Sequence, residues 1–546
     1  MQKIIKVLLC FSMLLILFGC KQETELVQET TDDNQQETEE TVIDEFDTVE
    51  IKHLETKYSG QNIWNNQYAI DAYCDFAIRQ LAYCYDENDN EIISPLSLYY
   101  ALAILANGAS NDTRKELESV LGMTVEDLNE FLSDFDNEFD NTESKYYNKA
   151  NAIWFNTLKG LSLKEDYKNT ISKYYGDSFF EGDFSDGQKV VNEANQWSSK
   201  QTDGAIQDVM NDGDITDETT MLILNALTAG DKWGHKFESS ETYYEEFNGR
   251  DNSKTLVEMM HETEWGYIND GKSEGFIKWL ENNSVFIGIV PLLGVDVYDY
   301  LNTMDFSTLS NYEDHRITSE IVDEFTGKNE WTGEDETCYL YDAHYTRLSF
   351  PMFEFDKEYD LDNTLKKFGL KNVFSAGESD FSALADGPEN LIKELYLQKA
   401  KQKCSILVNE EEVKAAAVTS IYLGLGGGDG GCYQLRDNVY HDVVFNRPFI
   451  FALMTPTYSH KGIPMFIGIV TKIGEPIQTA FQIQNITGKI NIRSIPSTKG
   501  EKLGTFAKDK IIYAFETKEA EGYTWYRIGT DKWVADKNGE WIKVLN

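Results

Sequence analysis

The spacing of apolar residues divides this chain into unequal parts. An apolar run, 7–18, follows Lys3 and Lys6, and residues 21–50 then carry almost no large apolar side chains. Apolar periodicity begins near Ile63 and continues to about Ile473. Within it, helical spacing predicts helices over 68–85 and 95–109, the second opened by the start signal Ser94-Pro95. Strand-type runs occupy 152–155, 220–227, 284–291, 347–355, 448–454 and 465–470. Helices come mostly early and strands mostly late, with no regular βαβ alternation. That order predicts an α+β fold built on a large, mainly antiparallel sheet. After a short linker, 475–487, the runs 489–493, 510–515, 523–528 and 532–535 alternate between turn residues, which predicts a small all-β barrel over 488–546.

The first apolar run is shorter than the roughly 20 residues that cross a bilayer, so 1–19 reads as a signal peptide. Leu17-Phe18-Gly19-Cys20 resembles a bacterial lipobox, in which Cys20 is acylated and becomes the mature N-terminus. Residues 20–60 would then be an acidic, disordered tether between a membrane lipid and the folded part. This places the protein on the extracellular face of a bacterial membrane. The 93 acids against 49 Lys and Arg give a net charge of −44, which repels phosphate backbones and argues against a nucleic-acid partner. With Cys10 removed and Cys20 lipidated, Cys74, Cys84, Cys338, Cys404 and Cys432 remain, an odd set without CxxC. They are expected as independent buried thiols, a Cys404–Cys432 bridge being the alternative. No metal site and no cofactor are implied.

The most informative stretch is Glu410-Glu411-Glu412-Val413-Lys414-Ala415-Ala416-Ala417-Val418-Thr419-Ser420, which runs into a glycine-rich tract at 424–431. After its acids come small, mostly uncharged side chains that could be either an exposed loop or a strand buried on both faces. Bulky or charged residues could not enter a closed sheet cheaply. Such a segment can switch from loop to inserted strand.

That segment resembles the hinge of the serpin family, and the resemblance extends over about 61–474. Asn90-Glu91-Ile92-Ile93-Ser94-Pro95-Leu96-Ser97 looks like the family's buried helix start beneath the main sheet. Asn111-Asp112-Thr113-Arg114, Asn151-Ala152-Ile153-Trp154-Phe155, Gln201-Thr202-Asp203-Gly204-Ala205-Ile206 and Leu224-Asn225-Ala226 follow in order. Gly230-Asp231-Lys232-Trp233, Leu348-Ser349-Phe350-Pro351, Asp380-Phe381-Ser382, Phe445-Asn446-Arg447-Pro448-Phe449 and Phe466-Ile467-Gly468 complete the series. The resemblance implies a serpin fold with a reactive loop at about 411–444. It implies a hinge of Glu411, Glu412, Val413, Lys414, Ala415, Ala416, Ala417, Val418 and Thr419. Trp233 falls at the breach, where the loop enters the sheet, and Ser94, Pro95 and Ser97 at the shutter beneath it.

The activity implied is suicide inhibition of a serine protease. The target attacks the loop, forms an acyl-enzyme on its own nucleophile, and is trapped as the cleaved loop inserts into the main sheet. About 15 inserted residues at roughly 3.3 Å each would drag the enzyme some 50 Å. Counting along the hinge places the reactive bond near Gly426-Gly427, with Leu425 or Leu423 as alternatives. Ser420–Gly431 holds no Lys or Arg, whereas Tyr422, Leu423 and Leu425 suit elastase-, chymotrypsin- or subtilisin-like proteases. Glu412 stands where the family usually carries glycine, and it loses backbone freedom where the loop must bend. A non-inhibitory serpin-fold scaffold, cut only as substrate, is therefore the alternative, and a cysteine-protease inhibitor is another.

The C-terminal part resembles a bacterial SH3-like domain through Asn491-Ile492-Arg493-Ser494-Ile495-Pro496-Ser497, Gly522-Tyr523-Thr524-Trp525-Tyr526 and Lys532-Trp533-Val534. That family often binds cell-wall peptides. Trp525, Tyr526 and Trp533 read as core aromatics, so no binding residue is assigned. An enzyme is disfavoured: the seven histidines are scattered, and neither HExxH nor GxSxG occurs.

Overall fold

The computed structural model describes Leu9–Cys20 and most of the chain from Leu54 to Leu545. Residues 1–8, 21–53, 141–146, 305–314, 329–334, 411–431, 456–461 and 477–479 lie outside that description, together with a few isolated positions. Four helices come early: Gln67–Cys84, Pro95–Gly108, Asn111–Leu121 and Val125–Asp140. Pro95–Gly108 is buried on almost every side, as expected of a helix that is apolar all round. Its start is set locally: Ser94 Oγ accepts from Ser97 N–H, and Pro95 occupies the first turn, where its missing N–H costs nothing.

This helix lies beneath a six-stranded sheet ordered Phe353–Asp360, Leu395–Val408, Leu9–Cys20, Thr219–Ala229, Tyr147–Asn156, Phe179–Gly182. Neighbours are antiparallel except the last pair. A seven-stranded sheet runs from Arg316–Ile317 through Tyr267–Asn269, Ser273–Trp279, Val285–Pro291, Phe449–Met454 and Pro464–Val470 to Glu91–Ile93. A third sheet joins Ser319–Lys328, Asp335–Pro351 and Lys254–Trp265, with Thr242–Asn248 on the last and Cys432–Val444 running parallel to 335–351. One large apolar core spans the helices and sheets. The α+β expectation holds, and most of the anticipated strands appear within two residues of their ends.

Several boundaries differ. The single run expected at 347–355 is two strands, Asp335–Pro351 and Phe353–Asp360, because the chain passes from one sheet to another at Met352. The tether assigned to 20–60 ends earlier, since Lys57 N–H and Tyr58 N–H donate to Asp127 and Tyr58 OH to Asp134. The described parts of the linker at 475–487 are also structured. Glu475–Pro476 pairs with Lys254–Trp265, and Phe481–Asn485 already belongs to the C-terminal strands. The reactive loop ends before Cys432 rather than at 444, because Cys432–Val444 is a strand in register with 338–349. Finally, Cys338 is disulfide-bonded, so not all the cysteines are independent thiols. The residue opposite it in register is Cys432, while Cys74, Cys84 and Cys404 are not disulfide-bonded.

The C-terminal strands form a three-stranded sheet (Ile511–Ala514, Phe481–Asn485, Ile542–Leu545) and a five-stranded one (Lys502–Phe506, Ile490–Arg493, Lys532–Asp536, Tyr523–Gly529, Glu516–Ala520). Ile483, Phe506, Ile512 and Val534 share a core of their own. Trp525, Tyr526 and Trp533 are buried. Among the described residues no helix is long and apolar enough to cross a membrane.

Candidate loop-insertion site

One strand position in the middle of the central sheet is filled by a segment remote in sequence from both its neighbours. Thr219–Ala229 and Leu395–Val408 flank it, and the 12 residues of Leu9–Cys20 occupy it, antiparallel to both. Its register runs from Leu9 opposite Leu407 to Cys20 opposite Leu395. At about 3.4 Å per residue the position is roughly 40 Å long. The occupant is the apolar run read from sequence as a signal peptide, including Cys20.

Beneath the middle of this slot, one helix start holds both flanks. Ser97 Oγ donates to Asn225 Oδ1 on Thr219–Ala229, and Asn225 Nδ2 donates to Asn151 Oδ1 at 2.7 Å on the next strand. On the other side, Gln402 Nε2 on Leu395–Val408 donates to the Ser94 carbonyl at 2.9 Å, and Gln80 Nε2 donates to Gln402 Oε1 at 3.1 Å. Ser94 Oγ donates to the Met465 carbonyl. Ser94, Ser97, Gln80, Asn225 and Gln402 are fully buried. Ser94, Pro95 and Ser97 lie at this helix start beneath the slot. Gln80, Asn151, Asn225 and Gln402 were not singled out as partners, although polar residues inside otherwise apolar strand and helix faces were the available signal.

At the slot's upper end both flanking strands meet Trp233. The indole is buried and packs edge-on against Phe237 and Phe286, each with ring centroids 5.6 Å away. Its Nε1 donates to the Asn409 carbonyl at 2.8 Å, so the segment following one flank is tied to the end of the other, one residue before Glu410. Below the indole lies a charged group that sequence reasoning missed. Lys278, buried, donates to Glu262 at 2.6 Å and to Glu264, with its ammonium 4.5 Å from the Phe237 ring centroid. Burial works against the Lys278 cation, yet Glu264 and Glu262 hold it above the ordinary lysine range. Burial and the neighbouring Glu264 raise Glu262, opposed by Lys278. Only alternation within Ser273–Trp279 could have flagged Lys278 as inward-facing.

Val408 is buried, and Glu410 is the last described residue before the loop. Its carboxylate accepts from Lys532 Nζ at 2.6 Å and Ser239 Oγ at 3.0 Å. The hinge Glu411, Glu412, Val413, Lys414, Ala415 to Thr419, and the bond candidates Leu423, Leu425, Gly426 and Gly427, lie outside the described residues. Beyond the loop, His441 on Cys432–Val444 approaches His344 on Asp335–Pro351, with Nε2 and Nδ1 2.8 Å apart, and stacks on Tyr267 at 3.9 Å. Burial, and then His344, lower the His441 pKa. Among the described residues no group of His, Cys, Asp and Glu could hold a metal ion.

Comparison with known proteins places this arrangement. The family model for serpins (serine protease inhibitors) matches residues 71–473. Human neuroserpin is 26% identical over 393 residues, covering 70% of this chain and 86% of neuroserpin. Serpin-ZX of Arabidopsis thaliana is 27% identical over 401 residues, covering 70% of this chain and 92% of the relative. Among solved structures, the thermophilic serpin tengpin in its native state superposes with a TM-score of 0.59 at 26% identity, covering 77% of this chain and 98% of tengpin.

Proposed function

Because this chain belongs to the serpin family, we propose that it is a serine protease inhibitor that traps its target by inserting its cleaved loop into the central sheet. The nucleophile of the target protease attacks a carbonyl near Gly426-Gly427. An ester forms on the protease, and the peptide bond breaks to release a new amino terminus on the C-terminal side. The loop segment that follows Glu410 then enters between Thr219–Ala229 and Leu395–Val408, carrying the acylated enzyme with it. The observation that carries this reading is the slot itself, which accepts a 12-residue strand paired along both edges. The loop from Glu411 to Gly426 is long enough to fill it.

Leu9–Cys20 and the loop cannot occupy the same backbone positions. Signal-peptide cleavage before Cys20 would remove residues 9–19 and leave the slot vacant. On this reading the unprocessed chain is plugged, and the lipid-anchored chain at the cell surface is the active form. The C-terminal strands, as an SH3-like domain, would bind a cell-wall peptide and place the inhibitor there. With Tyr422, Leu423 and Leu425 near the reactive bond and no Lys or Arg within Ser420–Gly431, the targets are elastase-, chymotrypsin- or subtilisin-like proteases. The test is incubation of the processed chain with these proteases and trypsin, followed by a denaturing gel and intact mass. A detergent-stable adduct with the first group supports the reading. Glu412 in place of glycine favours a second reading, a scaffold cleaved only as substrate, which would give cut protein and no adduct with every protease.

A further inference from the structure

The residue from which the loop departs is held by the C-terminal strands. Glu410 is paired with Lys532, whose side chain is 5% exposed and which also reaches the Thr242 carbonyl at 3.4 Å. This contact belongs to a wider, charge-matched interface. The acids Glu241, Glu246, Glu258 and Glu410 on the serpin body meet donors from the C-terminal strands. Lys510 pairs with Glu241 at 3.6 Å and sits 3.5 Å from the Tyr243 ring centroid, and Tyr513 OH donates to Glu246. Thr530 donates its N–H and its hydroxyl to the two oxygens of Glu258, at 2.7 and 2.9 Å. Phe515 packs on Tyr244 at 4.2 Å. Gly504 lies so close to Ser240 that a Cβ there would come within 2.0 Å of the serine Cβ. The C-terminal strands are fitted to the face beside the upper end of the slot.

We propose that Lys532 is a positioning residue of the trap and that the C-terminal strands are a working part of the inhibitor, an inference that rests on the inhibitory reading above. Trapping is a race between loop insertion and deacylation. Insertion starts with the chain turning immediately after Glu410, so the speed of that turn depends on a fixed pivot. Trp233 fixes the backbone at Asn409, and Lys532 with Ser239 fixes the next side chain. Without Lys532, the Glu410 carboxylate is left half-shielded with no counter-ion and turns outward to water. The top of Leu395–Val408 then loosens, insertion slows, and more acyl-enzyme hydrolyses before it is trapped.

The test compares the processed wild-type chain with Lys532→Met, Lys532→Arg and Thr530→Ala, the last removing a docking contact but leaving Glu410 paired. Lys532→Met should raise the number of inhibitor molecules consumed per protease trapped by roughly three- to tenfold, with the rate of loop cleavage unchanged. Lys532→Arg should restore most of the loss, and Thr530→Ala should match wild type. Adding Glu410→Gln to Lys532→Met should make matters no worse, as expected of a coupled pair. Hydrogen exchange over 395–410 in the uncleaved protein provides a readout independent of inhibition and should quicken in Lys532→Met alone. Where wild type traps protease, an unchanged ratio in Lys532→Met overturns the proposal, as does an equal loss in Thr530→Ala. Should wild type trap nothing, the inhibitory reading fails separately. The pivot then stands if exchange over 395–410 quickens and falls if it does not.

Discussion

At the middle of the slot, helix Pro95–Gly108 and its cap hold both flanking strands through neutral hydroxyls and amides, from Ser97 to Asn225 and from Gln402 to Ser94. At the top, the segments that continue from the same strands run into charges: Glu410 with Lys532 on one side, and Lys278 with Glu262 and Glu264 beneath Trp233. Neutral hydrogen bonds contribute about 1 kcal/mol each and exchange partners readily. Buried charges cannot be left unpaired without a loss of several kcal/mol. The middle can therefore part and re-form around an arriving strand, while the top keeps its geometry and serves as the pivot. A sheet that must open and yet keep its shape needs both kinds of latch.

The contrast is broken most severely at Lys278. Replacing it with methionine removes the ammonium shared by Glu262 and Glu264, leaving only His235 beside Glu262, and should cost about 3–5 kcal/mol, read as a lower midpoint in urea unfolding. At the middle latch, Asn225→Ala strands the Ser97 hydroxyl and the Asn151 carbonyl group and should cost about 1–3 kcal/mol. Equal losses at the two sites would remove the distinction between latches.

The third effect is smaller and visible as pH dependence. Because burial depresses the His441 pKa below the ordinary value near 6.5, the unfolded chain takes up the proton first. The stability from His441 is therefore complete above about pH 6.5 and is lost as pH falls through the depressed folded value. Protection against hydrogen exchange along 432–444, corrected for the slower intrinsic exchange at low pH, should fall as pH drops below about 6.5 in wild type. It should stay flatter in His441→Phe.

A fourth prediction concerns covalent connection rather than energy. If Cys432, the register neighbour of Cys338, is its disulfide partner, the fragment released by loop cleavage stays attached on a non-reducing gel and separates on reduction. Separation without reductant would assign Cys338 another partner.

Much of the fold was legible because it is local. Strand-type apolar runs located Thr219–Ala229, Val285–Pro291 and Phe449–Met454, and Ser94-Pro95 marked the start of the buried helix. Trp233, Ser94 and Ser97 carried over from the family motif and do cluster around the slot. What was not legible is pairing over distance. Lys532 and Glu410 lie 122 residues apart, and nothing local in Asp531-Lys532-Trp533 distinguishes a buried counter-ion from a solvated turn lysine. The strand at Cys432–Val444 was hidden by its mixed polar sequence, which follows a glycine tract and gains its order from Asp335–Pro351 beside it. The apolar run at 7–18 fits a signal peptide and a central strand equally well, since both require uncharged side chains on every face.

The central claim is that the slot takes up the cleaved loop, and thermal unfolding of the processed chain before and after a single cut within 411–431 tests it most directly. A new central strand paired on both edges should add several kcal/mol. At roughly 1 °C per kcal/mol for a domain this large, Tm should rise by about 5 °C or more. An unchanged or lower Tm in the cut protein would mean that the loop stays outside the sheet, and the trapping mechanism would fall with it.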